Sequence, residues 1–289
     1  MSLLRTDLVV EQTEQYRDTL PDGVTVEEYT RNGVGLTRVV ISSEQGARAL
    51  GRAQGQYITI ELPVVDSSVS PADDATHLLA DELASLLPSL GLVLVVGLGN
   101  SDITPDALGP LAARQIFATR HIPAQVAKQT GLTGLRPVAA VAPGVLGQTG
   151  IETSEIILSM IHDLKPAAVL VVDALAARSL DRLGKTIQLS DQGISPGAGV
   201  LNSRKELSKQ TLGVPVISIG IPTVVDGATM VSDLLETESD KIPERARTVM
   251  VTPRDIDALI ARGARHLSLA INSALQPRLS MEDITYLVS

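Results

Sequence analysis

The sequence predicts an α/β fold of three layers, α/β/α, on a mainly parallel sheet, with a β-rich N-terminal elaboration and a C-terminal helix. Three observations point there. From Gly91 onward, short β-branched runs alternate with amphipathic segments of helical length, the pattern of βαβ units. Apolar residues make up 44 %, yet there is one Phe, four Tyr and no Trp. The core is therefore aliphatic, which suits parallel strands buried under Ala- and Leu-rich helices. A chain of 289 residues can bury a substantial core. We read a single domain over 1–289, with a β-rich segment over 5–66, an α/β core over 91–236 and a helix over 252–275.

Taken in order, Val24–Tyr29, Thr37–Ser42 and Tyr57–Pro63 are strand-like runs parted by Asn32-Gly33 and by Gly51–Gly55. Ser70-Pro71-Ala72-Asp73 opens a helix to about Leu90, with a polar cap, Pro in the first turn and an acid behind it. Val93–Val96 is a strand, and Thr104-Pro105-Asp106 starts a helix to about Arg120. Val138–Ala142 is the next strand, and Thr149-Gly150-Ile151-Glu152 matches a capping box before a helix over Ser154–Leu164. Ala167–Val172, Thr186–Leu189 and Pro215–Ile221 complete the strands, and Asp226–Glu236 is helical. Glu236–Arg247, charged and holding Pro243, is expected to be a mobile loop. Thr252-Pro253-Arg254-Asp255 caps a last helix to about Leu275.

Composition excludes several classes. Lys and Arg number 24 against 33 Asp and Glu, a net charge of −9, with no run of five like charges, which argues against a nucleic-acid partner. Without cysteine there is no disulfide scaffold and no thiolate metal site. The N-terminus lacks a basic region followed by an apolar one, and Val93–Leu98 is too short to span a bilayer. A soluble intracellular protein without a membrane partner is expected.

Two segments carry the chemistry. Gly97-Leu98-Gly99-Asn100-Ser101-Asp102-Ile103-Thr104-Pro105-Asp106-Ala107-Leu108-Gly109-Pro110 and Val171-Val172-Asp173-Ala174-Leu175-Ala176-Ala177-Arg178-Ser179 each follow an apolar run and place an aspartate just past its end. In open α/β sheets the loops at the carboxyl ends of the strands line the ligand crevice. Two carboxylates brought there by two strands can share a proton and hydrolyse a bond. Simpler roles exist for both. Asp106 in a first helical turn complements the helix dipole, and a buried Asp173 needs a partner that Arg178 would supply. Gly97-x-Gly99 is not a dinucleotide fingerprint, because Asp102 stands where a third small residue belongs and an anion would meet Asp102 and Asp106 together. The glycines make a tight strand-to-helix turn. His77, His121, His162 and His266 lack metal-ligand spacing, and no metal or cofactor is expected. Asp191, Arg204 and Lys205 read as solvated loop charge.

These segments, with Pro143-Gly144-Val145-Leu146-Gly147-Gln148-Thr149-Gly150-Ile151-Glu152-Thr153 and Ile219-Gly220-Ile221-Pro222-Thr223-Val224-Val225-Asp226, resemble the germination (spore) protease family of endospore-forming bacteria. The resemblance runs from Arg5-Thr6-Asp7-Leu8 to the final helical segment. It implies an endopeptidase that degrades small acid-soluble spore proteins at germination, with Asp106 and Asp173 as the catalytic pair. Gly97, Gly99 and Asn100 would position the first acid and offer N–H groups to an oxyanion, and Arg178 would help position substrate. It also implies a homotetramer in the cytoplasm of the forespore or spore core. Members are made as zymogens that lose an N-terminal segment next to a motif like Arg5-Thr6-Asp7-Leu8. Since only five residues precede Thr6, a processed form or an unusually short leader is expected.

The fold implied is shared with the hydrogenase-maturation endopeptidases, which bind a metal with two acids and a histidine, so a metal-dependent peptidase is the second reading. A third is a non-catalytic ligand-binding protein in which Asp173 pairs with Arg178 and Asp106 only caps a helix. Gly193-Ile194-Ser195-Pro196-Gly197-Ala198-Gly199 is expected to lie over the site, with Ser195 where many members are expected to carry histidine. Val96-Gly97-Leu98-Gly99-Asn100 followed by Thr119-Arg120-His121 is also similar to the opening of peptidyl-tRNA hydrolases, but the spacing is longer here and the chain is acidic.

Overall fold

The β-branched runs of the sequence pair into one mixed sheet, in a computed structural model that describes residues 6–16, 19–62, 73–196, 205–235 and 241–288. β1 (Val24–Arg31) and β2 (Val34–Ile41) form a hairpin through Asn32-Gly33, whose φ values of 53° and 80° suit a two-residue turn. β3 (Gly55–Glu61) runs antiparallel to β2. β4 (Val93–Gly97), β5 (Val138–Val141) and β6 (Ala168–Ala177) are parallel neighbours, and β8 (Val216–Asp226) lies parallel to β6. β7 (Thr186–Ser190) is antiparallel to both β3 and β8, and β9 (Met250–Val251) adds to the end of β8. The order is β1-β2-β3-β7-β8-β6-β4-β5. The expected N-terminal elaboration is thus the antiparallel wing of the same sheet, joined to its parallel core through β7.

Helices cover both faces of that core. α1 (Val9–Thr13) and α2 (Glu44–Leu50), neither of which the sequence suggested, pack on the wing, where Val9, Val39, Ile41, Leu50 and Tyr57 form one cluster. α3 (Asp74–Leu86), α4 (Leu108–Arg114) and the long α10 (Ile256–Leu275) cover one core face, onto which Val95, Leu170, Val172 and Ile219 point. α7 (Thr153–Leu164) covers the other, receiving Val96, Val169 and Val171. Shorter helices fill the connections: α5 (Ala124–Gln129), α6 (Leu146–Thr149), α8 (Lys209–Leu212), α9 (Gly227–Leu235) and a terminal α11 (Met281–Val288) that the sequence reading missed. Among the described residues no helix is long and apolar enough to cross a membrane.

Several boundaries differ from expectation for physical reasons. Ser70, Pro71 and Ala72 lie outside the described residues, as do Pro63 and 236–240; the cap of α3 is Asp73, whose carboxylate accepts the Ala75 N–H at 3.1 Å. That helix stops at Leu86 because Leu87 precedes Pro88 and is extended, at ψ 145°. Thr104–Asp106 is a single 3₁₀ turn, and α4 ends at Arg114 rather than near Arg120. Its exit is held by Asn272 of α10, which donates to the Gln115 carbonyl at 2.9 Å and accepts from Phe117 N–H at 2.8 Å. The capping box at Thr149 does not form: Thr149 closes α6, and its hydroxyl bonds Val145 and Ile151 instead. Glu244–Thr248, within the segment expected to be a loop, is a 3₁₀ helix.

Candidate active site

Asp106 is placed by backbone contacts that glycines permit. A Cβ on Gly97 would sit 2.1 Å from the Gly109 carbonyl oxygen, so only glycine lets α4 pack against the end of β4. Leu98 N–H donates to Val172 O at 2.8 Å, stitching the loop to β6 one residue before Asp173. Gly99 turns with φ 118°, and a Cβ there would meet the Asp106 carbonyl oxygen at 2.0 Å. Asn100 N–H then donates to Asp106 Oδ2 at 2.8 Å, and Thr223 of β8 donates its hydroxyl to Pro105 O at 2.8 Å. The half-buried Asp106 carboxylate is therefore held from β4 and from β8.

Asp173 lies inside β6, not beyond its end as expected. Pairing with Gly220 of β8 carries the strand on to Ala177, and β8 itself reaches Asp226. The alternation that sends Val169 and Val171 toward α7 sends Asp173 to the same side. It is 6 % exposed, and its Oδ1 accepts the Ala174 N–H at 2.9 Å. Asp106 and Asp173 line one cavity of about 340 Å³, together with Asp7, Glu152, Ser154 and Lys205. Ile103 and Met250, both exposed, form apolar parts of its wall.

The other predicted residues divide. Gly99 lines the cavity, whereas Gly97 and Asn100 act behind it; the Asn100 N–H is given to Asp106 and positions the acid rather than an oxyanion. Arg178 is not among the cavity's lining residues. Its guanidinium meets Glu14 at 2.8 Å and Asp233 at 3.5 Å, so the suggested Asp173–Arg178 pair does not form. Five strand residues separate the two by about 16 Å of rise. His77, His121 and His162 are exposed, and His266 is buried at a different cavity of about 450 Å³ under α10, where its ring meets Thr76 at 3.3 Å and Asp73 at 3.5 Å. Burial holds the His266 imidazole below its ordinary pKa, against the opposing pull of Asp73. Among the described residues no group of three His, Cys, Asp or Glu is placed to hold a metal. Pro196 reaches the acidic cavity and Ser195 a neighbouring one, while 197–199 lie outside the described residues.

Sequence reasoning missed four wall residues. Lys205, taken as solvated charge beside Arg204 (itself outside the described residues), lines the cavity and makes no ion pair with a described residue. Asp191, by contrast, accepts the Gln56 N–H at 2.9 Å. Asp7 reaches the cavity because the N-terminal segment lies along the end of β6: Asp7 N–H donates to Ala176 O at 2.8 Å and its Oδ2 accepts Ala176 N–H at 2.9 Å. Glu11, 1 % exposed, secures that segment by accepting from the N–H groups of Arg178 and Ser179. Glu152 and Ser154 arrive with the first turn of α7.

Fold and site together define an α/β protein with a cavity of acids, brought there by the loop after β4 and by β6 itself. The chain belongs to the germination protease family, whose sequence profile matches residues 4–238. It is 41 % identical over 318 aligned positions to a germination protease of Clostridium tetani (strain Massachusetts / E88), covering 97 % of this chain and 98 % of that one. A germination protease of Caldanaerobacter subterraneus subsp. tengcongensis is 39 % identical, covering 99 % and 98 %. One of Bacillus velezensis is 45 % identical over 246 positions, covering 81 % of this chain and 66 % of the relative. Among solved structures, a [NiFe] hydrogenase maturation protease HycI from Thermococcus kodakarensis KOD1 matches at 18 % identity with a TM-score of 0.40, covering 67 % of this chain and 98 % of that one.

Proposed function

We propose that this chain is the endopeptidase that hydrolyses small acid-soluble spore proteins at germination, using Asp106 and Asp173 as its catalytic pair. The observation that carries the reading is that both line one cavity, Asp106 from the loop after β4 and Asp173 from within the neighbouring β6. Two acids sharing a site do not both ionise readily, so one keeps a proton while the other acts as base. The base takes a proton from water, and the resulting hydroxide attacks the peptide carbonyl carbon, whose oxygen takes up the charge. When the C–N bond breaks, the protonated partner gives its proton to the leaving nitrogen. One acid is protonated before the step and the other after it, so the pair resets by a single proton exchange.

Sheet continuity from wing to core supports a single domain. By family likeness the enzyme is made as a zymogen, and this chain corresponds to a processed form or one with an unusually short leader. By family likeness the enzyme works as a homotetramer in the cytoplasm of the forespore or spore core. The test is hydrolysis of a small acid-soluble spore protein by Asp106→Asn and Asp173→Asn. Each is expected to lose at least about 10³-fold in kcat with an unchanged thermal midpoint. A folded variant with near-normal activity refutes the pair.

A further inference from the structure

The cavity gathers the two catalytic acids together with Asp7 and Glu152, and two of the backbone donors beside Asp106 are already committed. Leu98 N–H is bonded to Val172 O, and Asn100 N–H to Asp106 itself. A peptide carbonyl attacked by water needs donors for its developing charge, and another part of the cavity wall carries uncommitted ones. There the 12-residue α7 begins, with Glu152 as its cap and Thr153 and Ser154 as its first two residues, all lining the cavity. The Glu152 side chain makes no capping bond, and the N–H groups of Glu155 and Ile156 turn back to the Glu152 carbonyl at 2.9 and 3.2 Å. The N–H groups of Thr153 and Ser154 are taken by no described residue, as befits the first turn of a helix.

A second, independent observation marks this turn. Ser154 is only 4 % exposed, and its Oγ is buried without a hydrogen-bond partner among the described residues. A buried hydroxyl left unpaired costs stability, and such groups in native proteins call for a functional explanation. Aligned peptide dipoles make a helix N-terminus favourable to negative charge. The alternation along β6 also turns Asp173 toward this helix.

Resting on the reading of Asp106 and Asp173 as the catalytic pair, we infer that the first turn of α7, through the Thr153 and Ser154 N–H groups and the Ser154 hydroxyl, is the oxyanion site of the peptidase. A χ1 rotation brings Oγ to the substrate oxygen only as charge develops there, which leaves it unpaired in the resting enzyme. The oxygen then receives hydrogen bonds but no proton. The proton of the protonated acid stays available for the leaving nitrogen.

The experiment compares the wild type with Ser154→Ala on a small acid-soluble spore protein, with Asp106→Asn and Asp173→Asn alongside. Ser154→Ala is expected to lower kcat by about 10²-fold with KM within twofold, as for loss of one oxyanion donor. Its thermal midpoint should be unchanged or raised, because the hydroxyl removed has no partner to lose. Binding of the uncleaved substrate, measured in the Asp106→Asn background, should be the same with or without Ser154→Ala. If the aspartate variants are inactive and Ser154→Ala keeps kcat within twofold, or only raises KM, the oxyanion assignment is overturned and the acid pair stands. If an aspartate variant stays active, the reading beneath it fails instead.

Discussion

The two halves of the sheet use the same residues to different ends. In the antiparallel wing, β1 returns to β2 through Asn32-Gly33, and the buried faces of β2 and β3 do nothing but pack. In the parallel core every strand must cross over through a longer connection, and those connections bring the Asp106 turn, the start of α7 and the 205–207 segment to one end. Parallel pairing thus collects residues distant in sequence around one cavity, while hairpins keep neighbours together. The wing should therefore yield stability without activity when perturbed, and the core both.

Ile60→Ala in β3 should sharpen that contrast most. Ile60 is fully buried in the cluster shared with α3, and its truncation is expected to cost about 2–5 kcal/mol in denaturant unfolding. Specific activity of the folded fraction should stay unchanged. Next comes Gly109→Ala in the core, where a Cβ would meet Leu98 O at 2.2 Å and Val172 O at 2.5 Å. It should destabilise by about 1–3 kcal/mol and also lose most activity, since those carbonyls belong to the loop of Asp106 and the residue before Asp173. Full activity in a folded Gly109→Ala protein would break the distinction.

Most strands were legible from their β-branched runs to within a few residues, because burial on both faces leaves few polar interruptions. The ends of β6 and β8 were not, since mutual pairing rather than composition carries them past Asp173 and Ile221. α1 and α2 escaped because each is shorter than two turns, with its apolar residues aimed at strands far along the chain. Asp106 and Asp173 were visible as acids ending apolar runs. Ser154, Lys205 and Asp7 were not, because only the tertiary fold brings them to the cavity. The one available signal was Thr149-Gly150-Ile151-Glu152 ahead of the helix over Ser154–Leu164, a run that read as simple capping.

Smaller effects follow from the polar cluster under α10, which has no part in the acidic cavity. His266 is held neutral by burial, with Asp73 near it and Arg262 and Lys185 on the same cavity wall. With its folded pKa below the ordinary 6.5, stability should be complete above about pH 6.5. It should fall as pH drops below that value, because the unfolded imidazole takes up a proton that the folded one refuses. The slope from this group is at most about 1.4 kcal/mol per pH unit. His266→Gln should flatten the dependence between pH 6.5 and the carboxylate range, as read by urea unfolding at stepped pH. Asp73→Ala, which removes the cap of α3, should cost only about 1 kcal/mol.

The central claim is that Asp106 and Asp173 act as one unit without a third ligand. Its most direct measurement is the rate of spore-protein cleavage, with strong chelator present, for the wild type, Asp106→Asn, Asp173→Asn and the double variant. The account predicts full wild-type activity under chelation, a loss of at least about 10³-fold in each single variant, and no further loss in the double. Wild-type activity abolished by chelator and restored by one added transition metal, or losses that multiply in the double variant, would contradict it.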